Sequence, residues 1–197
     1  MPLRAAGKPD SQALWARAAA VKLLVFDVDG VLTDGGLYYG PEGERMKRFD
    51  VKDGHGLVMA RLAGLPSAVL TARTSRIVEV RGKELGLSAI YQGHKDKLAG
   101  LAELLAKLDI AASDCAYMGD DVNDLGPMGQ VGLPACPADA APEVRQQAMF
   151  VAQNPGGRGA ARELVELCLK ASLRWEKVVE TLQGGVSRHH KSQKSPS

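Results

Sequence analysis

The sequence predicts an α/β protein built on a doubly wound parallel sheet. Short apolar runs of strand length recur along the chain, among them Leu23-Leu24-Val25-Phe26, Ser67-Ala68-Val69-Leu70 and Cys115-Ala116-Tyr117-Met118. Between them lie segments with helical spacing and recognisable caps. Strands alternating with helices imply a parallel sheet covered by helices on both faces. A chain of 197 residues suits one domain with a real core.

The elements follow in order. Residues 1–20 read as an N-terminal extension, polar to residue 10 and then an Ala-rich helix from Ser11 through Ala20 that carries Trp15. The main domain is expected at 21–183, opening with the buried strand that ends at Phe26. Leu37-Tyr38-Tyr39 and Arg45 to Val51 flank the turn Gly40-Pro41-Glu42-Gly43, which predicts a β-hairpin. Gly54 to Ala63 reads as a helix closed by Gly64, followed by the strand Ser67 to Leu70. Ser75 caps a helix that stops at Gly86. Then come a strand at Ala89 to Tyr91, a helix from Asp96 to Leu108 and the strand Cys115 to Met118. Val122 to Gln130 reads as helical, Gly132 to Ala135 as extended, Pro142 to Ala148 as helical and Phe150-Val151 as extended. A long helix starts at Gly159 or Ala160 and runs to Leu182. Residues 184–197, with Arg188, His189, His190, Lys191 and Lys194 among serines, read as a disordered basic tail.

Composition excludes several classes of partner. A net charge of +2 with scattered basic residues gives no electrostatic case for nucleic acid. No run approaches the ~18 apolar residues of a membrane helix. Cys115, Cys136 and Cys168 are far apart in apolar surroundings, as buried thiols in a reducing compartment are. No signal peptide is evident, so the cytoplasm is expected.

In a parallel sheet, ligands bind outside the carboxyl ends of the strands. Four polar clusters fall there: Asp27 and Asp29 before Gly30; Thr71 and Arg73; Lys97; and Gly119-Asp120-Asp121 with Asp124. This set suits phosphoryl transfer through an enzyme aspartate. Asp27 would attack phosphorus, and Asp29 would protonate the leaving oxygen and then activate water. An anionic nucleophile facing an anionic phosphate calls for a hard dication, so Mg²⁺ is expected on Asp27, the backbone carbonyl of Asp29 and Asp120. Lys97 would neutralise oxygens and Thr71 would donate to the phosphoryl group. Asp121 and Asp124 are expected behind the metal rather than on it. Taken singly, Thr71 is an ordinary strand-end hydroxyl and Lys97 a solvated lysine; only the joint spacing carries the reading. A receiver-type signalling module also uses acids, a Thr and a Lys on a parallel sheet, but Asp29 and the late acidic cluster argue against it. A catalytically silent subunit is the other alternative.

At these residues the chain resembles the haloacid dehalogenase-like phosphatases: Asp-Val-Asp-Gly-Val, Leu-Thr-Ala, Lys97 and Gly-Asp-Asp-Val-Asn-Asp stand where that family has its four motifs. The resemblance spans Lys22 to Leu169. Asp27 through Gly35, Val51 through Gly56, Tyr91-Gln92-Gly93 and Gly156 through Glu163 are similar to the 3-deoxy-D-manno-octulosonate 8-phosphate phosphatases. The resemblance implies a Rossmann-like doubly wound sheet with a β-hairpin, Mg²⁺, a sugar acid phosphate substrate in lipopolysaccharide precursor synthesis, and a homotetramer assembled through the hairpin. It implies substrate contacts from Asp29, Asp50, Val51, Lys52, Asp53, Gly54, Arg73, Arg81 and Lys97, with Arg73, Arg81 or Lys52, and also Arg162, meeting the sugar carboxylate. The intervals between motifs leave no space for an inserted cap domain of ~50 residues. The hairpin's Leu37, Tyr38, Tyr39, Met46 and Phe49 are the surface expected to meet other subunits.

The chain departs from that pattern where a sugar would sit. Asp50, Lys52 and His55 replace Asn, Arg and Tyr, Val58 stands in place of an Arg, and Ala72 replaces a Gly. Another sugar acid phosphate of the sialic type, or a broad range of phosphate esters, therefore stays open.

Overall fold

Leu23–Phe26 (β1) is buried at every position, so this strand must lie inside a sheet covered on both sides. The computed structural model describes residues 11–189. In it β1 pairs in parallel with β4 (Ser67–Leu70) and with β6 (Cys115–Met118), Val25 lying opposite Ala68 on one side and Tyr117 on the other. With β5 (Ala89–Tyr91), β7 (Leu133–Cys136) and β8 (Phe150–Val151) the sheet order is β5-β4-β1-β6-β7-β8. β2 (Tyr38–Gly40) and β3 (Gly43–Met46) form a separate antiparallel hairpin. The sheet is Rossmann-like. It grows outward in both directions from β1, so the loops after β1, β4 and β6 are neighbours at the point where the order reverses.

The two faces carry separate cores. Leu24 and Phe26 pack with Leu57, Met59 and Ala60 of α2 (Val51–Leu62), Val78 and Leu85 of α3 (Arg76–Leu85) and Leu164 and Val165 of α7 (Ala160–Ala171). Leu23 and Val25 point the other way, to Leu101 and Leu104 of α4 (Lys97–Leu108), Met128 of α5 (Leu125–Met128) and Val144 of α6 (Pro142–Gln147). The helix α1 (Ser11–Ala20) lies on α7 with Ala18 fully buried, so the segment read as an extension is seated on the domain from Ser11 onward.

Local chemistry explains where the boundaries moved. α2 begins three residues earlier than read, because Asp50 caps it and accepts from the Lys52 N–H at 2.7 Å. The segment Val122 to Gln130 is not one helix: Val122–Asp124 is a 3₁₀ turn leading into α5. There Asp124 folds its carboxylate back onto the Asp120 and Asp121 N–H groups, which tightens the turn. The long helix expected to reach Leu182 is two, α7 and α8 (Trp175–His189). Leu173 adopts φ 58°, and the N–H groups of Leu173 and Arg174 bond to Lys170 and Leu169 carbonyls, a Schellman stop made without glycine. α8 continues through Gly184-Gly185 to His189, so 184–189 are helical where a tail was expected; an established helix propagates readily when no proline intervenes. Residues 190–197 of that tail and residues 1–10 lie outside the described residues. No described helix is long and apolar enough to cross a membrane.

Asp53, read above as a substrate contact, has a structural task in the fold. It is 2% exposed, and its carboxylate accepts from the N–H groups of Gly159 (3.0 Å) and Arg162 (2.9 Å), capping α7 from α2. Asp53→Ala would strip a helix N-terminus of its acceptor and leave buried donors unpaired. The expected loss is about 2 kcal/mol, or roughly 4–8 °C in Tm at this chain length. An unchanged Tm with lost activity would return Asp53 to the substrate.

Candidate active site

Asp27 sits one residue past β1, its N–H donating to the Met118 carbonyl at 3.0 Å. That bond joins the loop after β1 to the end of β6. Lys97 is the first residue of α4, whose N-cap Asp96 accepts from the Ala99 N–H at 3.0 Å. Its ammonium lies 3.0 Å from Asp27 Oδ2 and 2.7 Å from Asp124 Oδ1 with its side chain 1% exposed. Burial alone would lower the Lys97 pKa, but the two carboxylates outweigh it and hold the lysine charged.

Asp124 cannot bind a metal without losing its partners. Oδ1 accepts from Lys97 and from the Tyr117 hydroxyl at 2.7 Å, and Oδ2 accepts from the N–H groups of Asp120 (3.1 Å) and Asp121 (3.3 Å). It fixes both the lysine and the loop after β6. Asp121 shapes the same loop, accepting from Val122 N–H at 2.7 Å. Tyr117 was legible only as a core strand residue. Its burial, reinforced by Asp124, pushes its pKa well above the usual value, so it stays a neutral donor.

Asp27 Oδ1 and Asp120 Oδ1 are buried and have no hydrogen-bond partner among the described residues. Ligand oxygens of Asp27, Asp120 and Asp124 fall within 4.8 Å of one another. Desolvation, with repulsion between the acids, pushes Asp27 up to about 6 and Asp120 up to about 8. Two orphaned carboxylate oxygens within one acidic cluster fit a hard divalent cation such as Mg²⁺. Asp27 and Asp120 would hold it, with the Asp29 carbonyl as the third protein ligand. Gly30 makes this possible: at φ 88°, a Cβ there would lie 2.1 Å from Asp120 Oδ2.

The raised pKa values have a consequence for stability. Above the ordinary carboxylate value of 3.8 and up through about 8, the metal-free folded protein holds protons that the unfolded chain has released. Its stability therefore falls as pH rises through that window. Mg²⁺ replaces those protons, so its stabilising effect grows with pH. Thermal melts with Mg²⁺ and with chelator, taken at both ends of the window, should show a larger gap at the alkaline end. An equal gap would contradict this electrostatic picture.

Asp29 points to a different set of partners. Its Oδ1 is bonded by Lys47, and Arg73 Nε lies 3.5 Å from its Oδ2. Arg73 also donates to the Tyr39 hydroxyl (2.7 Å) and Glu44 (3.4 Å), while the Ser75 hydroxyl donates to Glu44 at 2.5 Å. Glu44 and Lys47 were missed, since charges on a hairpin read as solvated. Thr71 is buried at the end of β4, its Oγ1 accepting from the Arg73 N–H at 3.4 Å. The Gly156-Gly157 segment presses on the back of the nucleophile loop, Gly157 N–H donating to Val31 at 2.9 Å.

The remaining expected contacts gather elsewhere. Asp50, Asp53, Gly54 and Arg81 line one small cavity with Phe49 and Leu57, a lining that includes none of Asp27, Asp29, Lys97 or Asp120. Arg81 pairs with Glu84 at 2.9 Å and lies over the Phe49 ring. Val51, Lys52 and His55 are exposed, and Val58 packs on the core. Arg162 is held by Glu166 at 2.8 Å and stacks on Trp175.

Comparison with known proteins agrees with this geometry. A family model for haloacid dehalogenase-like hydrolases matches residues 68–164. The 3-deoxy-D-manno-octulosonate 8-phosphate phosphatase KdsC of Escherichia coli (strain K12) is 43% identical over 163 residues, covering 83% of this chain and 87% of that protein. The solved structure of the Moraxella catarrhalis phosphatase, in complex with magnesium ion, phosphate ion and KDO, superposes with a TM-score of 0.84 at 38% identity, covering 88% of this chain and 99% of that one. The Yersinia pestis phosphatase gives a TM-score of 0.82 at 41% identity, covering 85% and 91%. A buried lysine between two aspartates, an orphaned oxygen pair and this degree of likeness lead to one assignment: the chain belongs to the haloacid dehalogenase-like hydrolases, in the family of the 3-deoxy-D-manno-octulosonate 8-phosphate phosphatases.

Proposed function

We propose that the chain is a Mg²⁺-dependent phosphomonoesterase that converts 3-deoxy-D-manno-octulosonate 8-phosphate to the free sugar acid and phosphate, a step supplying lipopolysaccharide precursors. The observation that carries this is the pair of unsatisfied oxygens on Asp27 and Asp120 beside the buried Lys97. Bound Mg²⁺ supplies the positive charge that lets a carboxylate approach a phosphate dianion. An Asp27 oxygen forms a bond to phosphorus as the bond from phosphorus to the sugar oxygen breaks. Asp29 gives its proton to that oxygen, and the sugar leaves as an alcohol. Asp29 then takes a proton from water, whose oxygen bonds to phosphorus while the bond to Asp27 breaks. Lys97 offsets the charge on the equatorial oxygens and Thr71 donates to one of them.

Phosphate release from a panel of phosphates of eight-carbon and nine-carbon sugar acids and of neutral sugars, compared by kcat/KM, tests the substrate. The eight-carbon acid should lead. Preference for a nine-carbon acid would favour the sialic-type reading that Lys52, His55 and Val58 motivate, and uniform rates would favour a broad phosphatase. Arg73, beside Asp29, would meet a sugar carboxylate within one chain; Lys52 and Arg81 would serve a site completed by a neighbour.

Assembly into a homotetramer belongs to the same reading. Among the described residues no cap domain is inserted between the motifs, and Leu37, Tyr39 and Met46 of the hairpin segment are each more than half exposed. A neighbouring chain packed on this ribbon would bury it and cover the site. Sedimentation at micromolar concentration should show four chains, and a fully active monomer would defeat the idea. The scattered, buried and unbridged cysteines support a cytoplasmic setting.

A further inference from the structure

Asp29 is one member of a closed ring of alternating charge. Lys47 bonds Asp29 Oδ1 and lies 2.9 Å from Glu44 Oε1; Arg73 lies 3.4 Å from that same Glu44 oxygen and 3.5 Å from Asp29 Oδ2. The four residues come from three segments: the loop after β1, the hairpin with its exit, and the loop after β4. Both Asp29 oxygens are therefore held, one by each cation. The Lys47 side chain is 1% exposed, an unusual place for an ammonium. Such a charge is tolerated in the interior only where its partners are fixed around it. Glu44 is fixed in turn, by Ser75 and Arg73 as well as Lys47.

We propose that Lys47 is a positioning residue for the acid–base carboxylate Asp29, and that Glu44 makes this placement depend on the hairpin being docked. The proposal rests on the phosphatase reading above. Lys47 pairs with Asp29 and Glu44 rather than with Asp27 or Asp120, so its removal leaves the nucleophile and the Asp120 carboxylate in place. What suffers is delivery of a proton to the departing oxygen. That matters for an alkoxide leaving group, such as a sugar, and hardly for p-nitrophenolate, which departs without help. A residue that merely stabilised the fold would affect both esters alike.

The test is kcat/KM of Lys47→Met with Mg²⁺ on the sugar acid phosphate and on p-nitrophenyl phosphate, since kcat/KM covers only the steps up to loss of the alcohol. The sugar ester should lose about 100-fold and p-nitrophenyl phosphate less than about fivefold. Glu44→Gln, which keeps shape and an acceptor oxygen, should show the same imbalance at about tenfold. Thermal melts establish that each variant is folded; if Lys47→Met is not, the Glu44→Gln ratio decides. Equal losses on the two esters, or no loss on the sugar ester, would overturn the proposal. Wild-type protein inactive on both esters would instead overturn the phosphatase reading, and this proposal with it.

Discussion

Asp27→Asn should abolish phosphate release while leaving the protein folded. The amide has the shape of the carboxylate but is a poor nucleophile, so no covalent phosphoryl intermediate forms. The loss should reach at least about 10³-fold, in the range of removing a nucleophile that works as part of a unit. Nothing in the packing opposes the change. The Asp27 bond to Met118 is made by its backbone, and Lys97 retains its 2.7 Å contact with Asp124. Without metal the variant should melt no lower than wild type, because one of two crowded, desolvated acids has become neutral. More than a few per cent residual turnover, measured by phosphate release, would remove Asp27 from the nucleophile's role.

Removing the divalent cation should be as severe. The Asp27 and Asp120 carboxylates, once ionised, repel each other and an incoming phosphate, and Lys97 alone, shared with Asp124, is too little positive charge to offset them. Excess chelator should therefore stop turnover, and added Mg²⁺ should restore it. Asp120→Ala deletes one of the two orphaned acceptors and should raise the Mg²⁺ concentration needed for half-maximal rate by about tenfold or more. Full activity in excess chelator would refute the metal's part in the reaction.

Much of this was legible in the sequence because its signals are local. Strands came from apolar runs, and α3 and α4 from Ser75, Gly86 and Asp96, whose capping bonds form within a few residues. The gathering of Asp27, Lys97, Asp120 and Asp124 was readable because strand order puts their loops at one sheet edge. What escaped depends on distant partners. The capping bond of Asp53 escaped, because the N–H it serves on Gly159 lies 106 residues away. Lys47 and Glu44 looked like ribbon surface until Asp29 and Arg73 closed the ring around them. The break before α8 escaped for another reason: Leu173 takes a left-handed conformation that sequence rules reserve for glycine or asparagine.

The contact between the Gly156-Gly157 segment and the nucleophile loop bears on how this enzyme can be silenced. A methyl group at residue 156 would sit 1.8 Å from the Gly30 carbonyl oxygen, and one at 157 would sit 2.3 Å from the Thr33 carbonyl carbon. Neither collision can be relieved by turning a side chain, because the obstacle is main chain. Relief requires the loop to shift, and the same Gly30 has no spare room beneath Asp120. Loss-of-function alleles should therefore collect at two glycines outside the reacting groups, and such alleles would be defects of shape, beyond rescue by more magnesium or more substrate.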